Sequence, residues 1–145
     1  MRSGAVSELA WYRAGCREWD LAISYASEDV AVAREIARQL TGKVRVFFAP
    51  DQSAYLWGDD LNRVLPQTYG VNARYVLALT SAAYVKKHWT NVEWQAALSG
   101  SARKLLVMEY GALPPDMPAG LIYRAFNPEN LISLIGDLTK VVGHI

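Results

Sequence analysis

The sequence predicts a doubly wound α/β domain built on a five-stranded parallel sheet. Three observations carry this prediction. Short apolar segments alternate along the chain with segments of helical periodicity. The candidate strands are apolar on both faces, as strands covered by helices on two sides must be. The chain has 145 residues, of which 52% are hydrophobic, and this is enough for one domain with a substantial core.

The first half of the chain contains the signals for two strands and two helices. They are a strand over 19–25, a helix that begins at Ser27 and ends before Gly42, a strand over 44–48, a loop over 49–58 and a helix over 59–69. Ser27 is a favourable N-cap, and Glu28 and Asp29 follow it in the first turn, where the helix dipole favours negative charge. Pro66 is expected to kink the end of the second helix, because it lacks an amide donor.

The second half contains three further strand signals. The elements are a strand over 74–80, a helix over 90–101, strands over 105–110 and 122–126, and a last helix that starts at Pro128 with the apolar face Leu131, Ile132, Leu134, Ile135, Leu138 and Val142. This order predicts a flavodoxin-like fold, in which ligands bind outside the carboxyl ends of the strands. The site is therefore expected around residues 24–27, 48–58, Thr80, Ser81 and the segment from Tyr110 onward.

Composition and motifs exclude several classes of function. Fifteen basic residues balance fourteen acidic ones with no long basic run, so binding to nucleic acid or to an anionic membrane is not indicated. The single cysteine, Cys16, excludes an internal disulfide and a Cys-rich zinc site. His88 and His144 have no companion ligands at metal-binding spacing, so no metal is expected. The glycine fingerprints of dinucleotide-binding and P-loop sites are absent from the sequence.

The sequence pattern does not predict a targeting signal or a membrane-spanning segment. No apolar run approaches the ~18 residues needed to span a bilayer. Charged residues interrupt the first twenty positions, which leaves no uncharged core for a signal peptide. We therefore expect a cytoplasmic protein, with residues 1–18 as an N-terminal extension or linker and residues 19–145 as the domain.

Two segments near the expected site allow both a structural and a functional interpretation. Thr90 and Glu93 form a capping box, and Trp89 lies where a hydrophobic staple would. The same helix begins beside the carboxyl end of the third strand, so Glu93 is also a candidate to line the cleft. The loop over 49–58 carries Tyr55-Leu56-Trp57, which either folds back on the core or forms an aromatic wall for a flat ligand or a patch for a partner.

Four pieces of the sequence, in this order, resemble a Toll/interleukin-1 receptor (TIR) domain of the bacterial branch. They are the first-strand segment over 20–29, the second strand over 44–48, the loop segment over 56–61, and the W-x-x-x-E motif at Trp89 and Glu93. The resemblance runs from about residue 19 to residue 142. It is the order and spacing of the four pieces, on the predicted fold, that makes the resemblance specific.

The resemblance implies an enzyme that hydrolyses the bond between nicotinamide and ribose in NAD+, with cyclic ADP-ribose as the product of some members. It places the catalytic role on Glu93. The implied substrate-binding residues are Ser24, Tyr25, Ala26, Phe48, Trp57, Gly58 and Trp89. NAD+ is the substrate, so no cofactor is expected. The resemblance also implies antiphage defence, self-association through the 49–58 loop, and activation by a separate sensor chain or domain.

A single carboxylate suffices for this chemistry. Nicotinamide leaves a cationic pyridinium as a neutral molecule, so the reaction needs no proton donor of the kind that glycosidases supply. One carboxylate stabilises the oxocarbenium-like transition state electrostatically. A competing interpretation is a non-enzymatic TIR adaptor that uses the fold only for TIR–TIR contacts, although an adaptor has no need for W-x-x-x-E. A weaker third interpretation is a hydrolase of other nucleosides.

Overall fold

The computed structural model describes residues 19–52, 73–87, 104–115, 117 and 121–143. The strands are β1 (Trp19–Ser24), β2 (Val46–Phe47), β3 (Ala73–Thr80), β4 (Lys104–Glu109) and β5 (Tyr123–Ala125). The helices are α1 (Val30–Leu40), α2 (Ala82–Lys87) and α3 (Leu131–Gly143), and short 3₁₀ turns cover Ser27–Asp29, Ala49–Gln52 and Pro128–Asn130. The predicted helices over 59–69 and 90–101 and the extension over 1–18 lie outside the described residues.

The five strands form one parallel sheet in the order β2-β1-β3-β4-β5. Ser24 at the end of β1 pairs with Ala78 near the end of β3, and Thr80 pairs with Glu109 at the end of β4. The carboxyl ends therefore meet at one edge of the sheet. The predicted fold class, a doubly wound parallel sheet of five strands, is confirmed.

The core lies on both faces of this sheet. On one face, apolar side chains of β1, β3 and β4 pack against α1 and α3, and this cluster includes Leu21, Ile23, Leu77, Met108, Ile36, Leu40, Ile135 and Leu138. On the other face, a smaller cluster joins Ala26, Ala78, Tyr84 and Val107. The strands read as continuous apolar runs because both of their faces are covered.

The turn after β1 differs from the prediction. Ser27 does not cap the helix; Ala26 occupies the cap position in an extended conformation, and the Ser27 hydroxyl donates to the Glu28 carboxylate at 3.3 Å. The chain first makes a 3₁₀ turn, in which the Asp29 amide donates to the Ala26 carbonyl at 2.8 Å, and α1 begins only at Val30. The predicted N-cap at Ser27 is therefore wrong, and Glu28 and Asp29 lie in the 3₁₀ turn before α1 rather than in the first turn of the helix itself.

The second strand is shorter than predicted. Gly42 follows α1 with a φ of 87°, a conformation that favours glycine, and the turn it makes leaves Val44 in an isolated bridge to Thr41. Regular pairing with β1 begins at Val46. After β3 the sequence predicts a helical stretch that is best defined over 90–101, and the structure shows that a helix, α2, already forms directly after the strand.

The last helix follows the prediction except at one residue. Asn127 caps the Pro128–Asn130 turn, accepting from the amides of Glu129 and Asn130. Four of the predicted apolar residues, Leu134, Ile135, Leu138 and Val142, are buried. Ile132 is 80% exposed, so its assignment to the buried face is wrong. Successive residues of a helix are rotated by about 100°, and this turns Ile132 outward when its neighbours face the sheet.

Arg74 connects α3 to the amino-terminal edge of the sheet by a hydrogen bond. Arg74, at the start of β3, donates to the Val142 carbonyl at 2.5 Å and lies 3.5 Å from the Asp20 carboxylate. The second oxygen of Asp20 accepts from the Arg45 amide at 2.8 Å. These bonds hold the edge opposite the expected site. No helix in the described part of the chain has the length and apolar character needed to cross a membrane.

Candidate active site

Four of the eight predicted site residues lie in the described part of the chain, and all four lie at the carboxyl edge of the sheet. They are Ser24, Tyr25 and Ala26 at the end of β1 and Phe48 at the end of β2. Trp57, Gly58, Trp89 and Glu93 lie outside the described residues, and their roles stay predictions. The chain passes from the end of α2 at Lys87 to Trp89 within two residues.

Aromatic and cationic side chains pack together where β1 and β2 end. The rings of Tyr25 and Phe48 are 5.4 Å apart between centroids and tilted by 35°. The Arg34 guanidinium of α1 lies 5.1 Å from the centroid of the Phe48 ring. Phe48 is only 1% exposed, whereas Tyr25 is half-buried. The phenol of Tyr25 is therefore the aromatic surface that this pair presents at the edge.

A buried hydrogen bond joins the end of β1 to α2. The hydroxyls of Ser24 and Tyr84 are 2.7 Å apart, and both side chains are completely buried. Ala26 is also buried, in the same cluster as Tyr84. The side chains of Ser24 and Ala26 thus face the protein interior, and the Ser24 hydroxyl has its partner in Tyr84.

The 3₁₀ turn after β1 is tied to α2 at two more places. The hydroxyl of Ser81, the residue before α2, donates to the Asp29 carboxylate and accepts from the Tyr84 amide at 3.1 Å. The Lys87 ammonium lies 3.0 Å from the Glu28 carboxylate at the surface. The hydrogen bond from Lys87 lowers the pKa of the Glu28 carboxyl below its ordinary value of 4.5.

The ends of β3, β4 and β5 complete the edge. The carbonyl of Thr80 accepts from the Tyr110 amide at 2.7 Å, and the ring of Tyr110 packs edge-to-face on Phe126 at 5.2 Å. The Thr80 hydroxyl is buried, and no partner for it lies within the described part of the structure. Buried hydroxyls without a partner are uncommon in folded proteins.

The sequence does not reveal the role of Tyr84. Its position falls between the third strand and the predicted helix over 90–101, where no periodic pattern marks it. The one available signal is general: a tyrosine that is buried needs a partner for its hydroxyl. That the partner is Ser24, sixty residues away along the chain, follows only from the β1–β3 pairing. Among the described residues, no group of three or more His, Cys, Asp or Glu side chains is placed to hold a metal ion.

Known proteins resemble this chain in sequence and in fold. The TIR domain family model matches residues 21–132. Over 77 residues, 52% of its length, the chain is 40% identical to a 3′ cyclic ADP-D-ribose synthase, AaTIR, of Aquimarina amphilecti, and the match spans 24% of that relative. The fold is similar to the crystal structure of the TIR domain of a Toll-related receptor, TRR-2, of Hydra magnipapillata. The TM-score is 0.66 at 15% identity, covering 87% of this chain and 99% of that one. The chain belongs to the TIR domain family.

Proposed function

We propose that this TIR domain cleaves the bond between nicotinamide and ribose in NAD+. One observation carries the proposal: the chain is 40% identical, over half its length, to a relative named as a 3′ cyclic ADP-D-ribose synthase. A synthase of cyclic ADP-ribose makes its product from a dinucleotide by releasing nicotinamide. The W-x-x-x-E motif at Trp89 and Glu93 supports the same chemistry.

The reaction has two outcomes that differ in what captures the ribosyl cation. Nicotinamide departs as a neutral molecule and leaves an oxocarbenium-like centre. Water gives ADP-ribose and a proton. A hydroxyl of the second ribose in the same molecule gives cyclic ADP-ribose and a proton. A site that holds the adenosine half close and excludes water favours the cyclic product, and we propose that this chain forms cyclic as well as linear product.

We propose Glu93 as the carboxylate that stabilises the developing positive charge. Trp89 and Trp57 supply aromatic faces for the nicotinamide or adenine ring, and Gly58 lets the loop approach the substrate. Tyr25 is half-buried at the edge and offers its phenol to the substrate. The Ser24 and Ala26 side chains are buried, so these residues contribute backbone groups, and Phe48 supports the ring of Tyr25.

The test is incubation of the purified protein with NAD+, followed by chromatographic separation of nicotinamide, ADP-ribose and cyclic ADP-ribose. We expect nicotinamide release by the parent and loss of it in Glu93→Gln. Glu129→Gln is the matched control, because Glu129 is an exposed carboxylate in the turn before α3. Release of nicotinamide by Glu93→Gln at the parent's rate would refute the catalytic role of Glu93. Absence of release by concentrated parent protein would refute the function.

A second pair of variants tests the proposed aromatic contact. Trp89→Ala is expected to lose turnover and substrate affinity, and Trp89→Phe to recover part of both, because a phenyl ring restores a stacking face. Equal activity of Trp89→Ala and the parent would confine Trp89 to the role of a hydrophobic staple. The measurement is the dependence of the initial rate on NAD+ concentration.

We propose that activity depends on self-association with further copies of this chain, through contacts that include the 49–58 loop. The described surface supports association: Ile122 is 85% exposed, and an apolar groove of about 100 Å³ lies beside it between α3 and the strands β3 to β5. Exposed apolar side chains next to such a groove favour contact with another protein surface. A contact between two different surfaces is head-to-tail and forms filaments unless it closes into a ring.

Specific activity across a dilution series, with light scattering on the same samples, tests this dependence. We expect the rate per subunit to rise with protein concentration and Ile122→Lys to weaken both association and rate. Asp137→Asn is the comparison variant for Ile122→Lys. It removes a surface ion pair with Arg124 at the rim of the groove but leaves the apolar side chains in place, so we expect a smaller effect on association and rate. A constant specific activity from strictly monomeric protein would contradict the proposal.

We also propose that the protein acts in the cytoplasm as an effector of antiphage defence, triggered by a separate sensor chain or domain. NAD+ levels in bacteria that express the protein test this role, measured with and without phage infection. The expected result is a fall in NAD+ on infection that the Glu93→Gln variant does not show. An unchanged NAD+ level in infected cells that express the parent protein would contradict the role.

A further inference from the structure

Three polar contacts connect the turn after β1 with α2. The Ser24 and Tyr84 hydroxyls share a buried hydrogen bond of 2.7 Å, and the Ser81 hydroxyl donates to the Asp29 carboxylate. At the surface, the Lys87 ammonium of α2 pairs with the Glu28 carboxylate, as described above. Within the described part of the structure, the two segments 24–29 and 81–87 are thus joined at both ends of α2. We call this set of contacts the β1–α2 clamp.

The two joined segments belong to different parts of the proposed site. Segment 24–29 begins with Ser24, Tyr25 and Ala26, the proposed substrate contacts at the end of β1. Segment 81–87 leads into Trp89 after one intervening residue and into Glu93 four residues later. The clamp therefore links the segment that contains the proposed substrate contacts to the helix that precedes the proposed catalytic residue in the sequence.

Stability alone does not explain the buried pair at the centre of the clamp. Ser24 and Tyr84 are both fully buried, and among the described residues Tyr84 packs in a cluster with the apolar side chains of Ala26, Ala78 and Val107. Replacing both partners of a buried hydrogen bond by apolar groups of the same shape can be nearly neutral for stability. A hydrogen bond differs from apolar packing in its direction, because it fixes the distance and angle between two segments.

We propose that Tyr84 is a positioning residue for the cleavage of NAD+. Its hydroxyl, bonded to Ser24 and supported by the Ser81–Asp29 contact, holds the end of β1 at a fixed distance from α2, the helix that precedes Glu93 in the sequence. This inference rests on the proposed function. Catalysis by a single carboxylate depends on its placement at the ribose, and a displacement of about 1 Å costs up to about a hundredfold in rate.

The test compares the parent with Tyr84→Phe, Ser24→Ala and the double variant, measuring the melting temperature, kcat and KM for NAD+. Each single variant breaks the Ser24–Tyr84 bond while keeping one of the two buried hydroxyls, and is expected to lower the melting temperature. The double variant removes both hydroxyls and is expected to regain most of that loss. Its kcat stays about tenfold or more below that of the parent, with KM changed by less than about twofold, because the buried Ser24–Tyr84 bond at the centre of the clamp is still missing.

A purely structural role predicts a different result. In that case kcat recovers together with the melting temperature in the double variant, and this recovery would overturn the proposal. Tyr75→Phe is the matched control, because Tyr75 is a buried tyrosine of β3 that packs in the cluster on the opposite face of the sheet. Its kcat is expected to equal that of the parent. Asp29→Ala breaks the second contact of the clamp independently and is expected to lower kcat in the same way; a parental kcat there would also count against the clamp.

Hydrogen exchange separates failure of this inference from failure of the proposed function. If the parent protein releases no nicotinamide, the proposed function is wrong, and the exchange rates still test the clamp. We expect amides in 24–29 and 82–87 to exchange faster in the double variant than in the parent, with rates in α1 and α3 unchanged. Parental exchange rates in both segments of the double variant would overturn the clamp itself.

Discussion

Replacement of Phe48 distinguishes a core side chain from a ligand contact. The family resemblance places Phe48 in the substrate cleft, but the structure buries its ring to 99%, between Tyr25 and the Arg34 guanidinium. We therefore expect Phe48→Ala to act first on stability. The more conservative Phe48→Leu keeps most of the apolar volume and loses the two ring contacts.

The stability losses expected for Phe48→Ala and Phe48→Leu follow from the burial and the ring contacts of Phe48. A fully buried phenylalanine replaced by alanine loses its transfer free energy and leaves a cavity, so Phe48→Ala is expected to lower the free energy of unfolding by about 3–5 kcal/mol. Phe48→Leu loses the aromatic pair and the cation–π contact, and this is expected to lower the free energy of unfolding by about 1–2 kcal/mol. The free energy of unfolding of a domain is about 5–15 kcal/mol, so Phe48→Leu is expected to remain folded at 25 °C, whereas Phe48→Ala loses a large share of the total.

Urea unfolding followed by tryptophan fluorescence measures these losses. Phe47→Leu is the matched control, because Phe47 is equally buried but packs edge-to-face against Trp19 at 5.4 Å. We expect Phe48→Leu and Phe47→Leu to lose similar stability and to retain NAD+ cleavage. If Phe48→Ala unfolds at the parent's urea concentration and nevertheless loses NAD+ cleavage, the ring contacts the substrate and its assignment to the core is wrong.

Three further predictions concern side chains at the two edges of the sheet. Arg74→Met removes charged hydrogen bonds to Asp20 and to a carbonyl of α3, and urea unfolding is expected to show a loss of about 1.5–3 kcal/mol; an unchanged midpoint would contradict that anchoring role. Pairing with Lys87 lowers the pKa of Glu28 below 4.5, so the pair stabilises the folded state above that pH and loses its effect as the pH falls through the folded-state pKa. Melting curves of Glu28→Gln should therefore lie below those of the parent only at the higher pH values, and an equal difference at all pH values would refute the pairing. Thr80→Val replaces a buried hydroxyl that has no partner in the described structure, and calorimetry is expected to show a melting temperature equal to or above that of the parent, whereas a large decrease would show that the hydroxyl is bonded.

The sequence predicts the sheet well because parallel strands leave a strong signal. Strands buried on both faces are continuous apolar runs, and the run at β3 differs from the structure by a single residue at its start. The carboxyl edge follows from the topology alone, so Ser24 and Tyr25 could be placed there without coordinates. Apolar residues that recur at helical spacing likewise predict most of the buried face of α3.

The remaining differences arise where short-range signals compete with tertiary contacts. Ser27 has the composition of an N-cap, but the chain leaves β1 through a 3₁₀ turn that places Ala26 at that position. Ile132 has the side chain of a core residue and lies on the exposed side of α3. Partners such as Tyr84 for Ser24 are set by which strands become neighbours, and no local pattern encodes them.

Nicotinamide release from NAD+ by the parent and Glu93→Gln proteins, measured side by side at equal concentration, tests directly whether this TIR domain cleaves NAD+ with Glu93 as its catalytic residue. We expect the parent to release nicotinamide together with linear or cyclic ADP-ribose. We expect Glu93→Gln to melt within the few degrees that loss of a capping contact costs and to release none. Equal release by both proteins, or none by concentrated parent protein, would contradict this assignment.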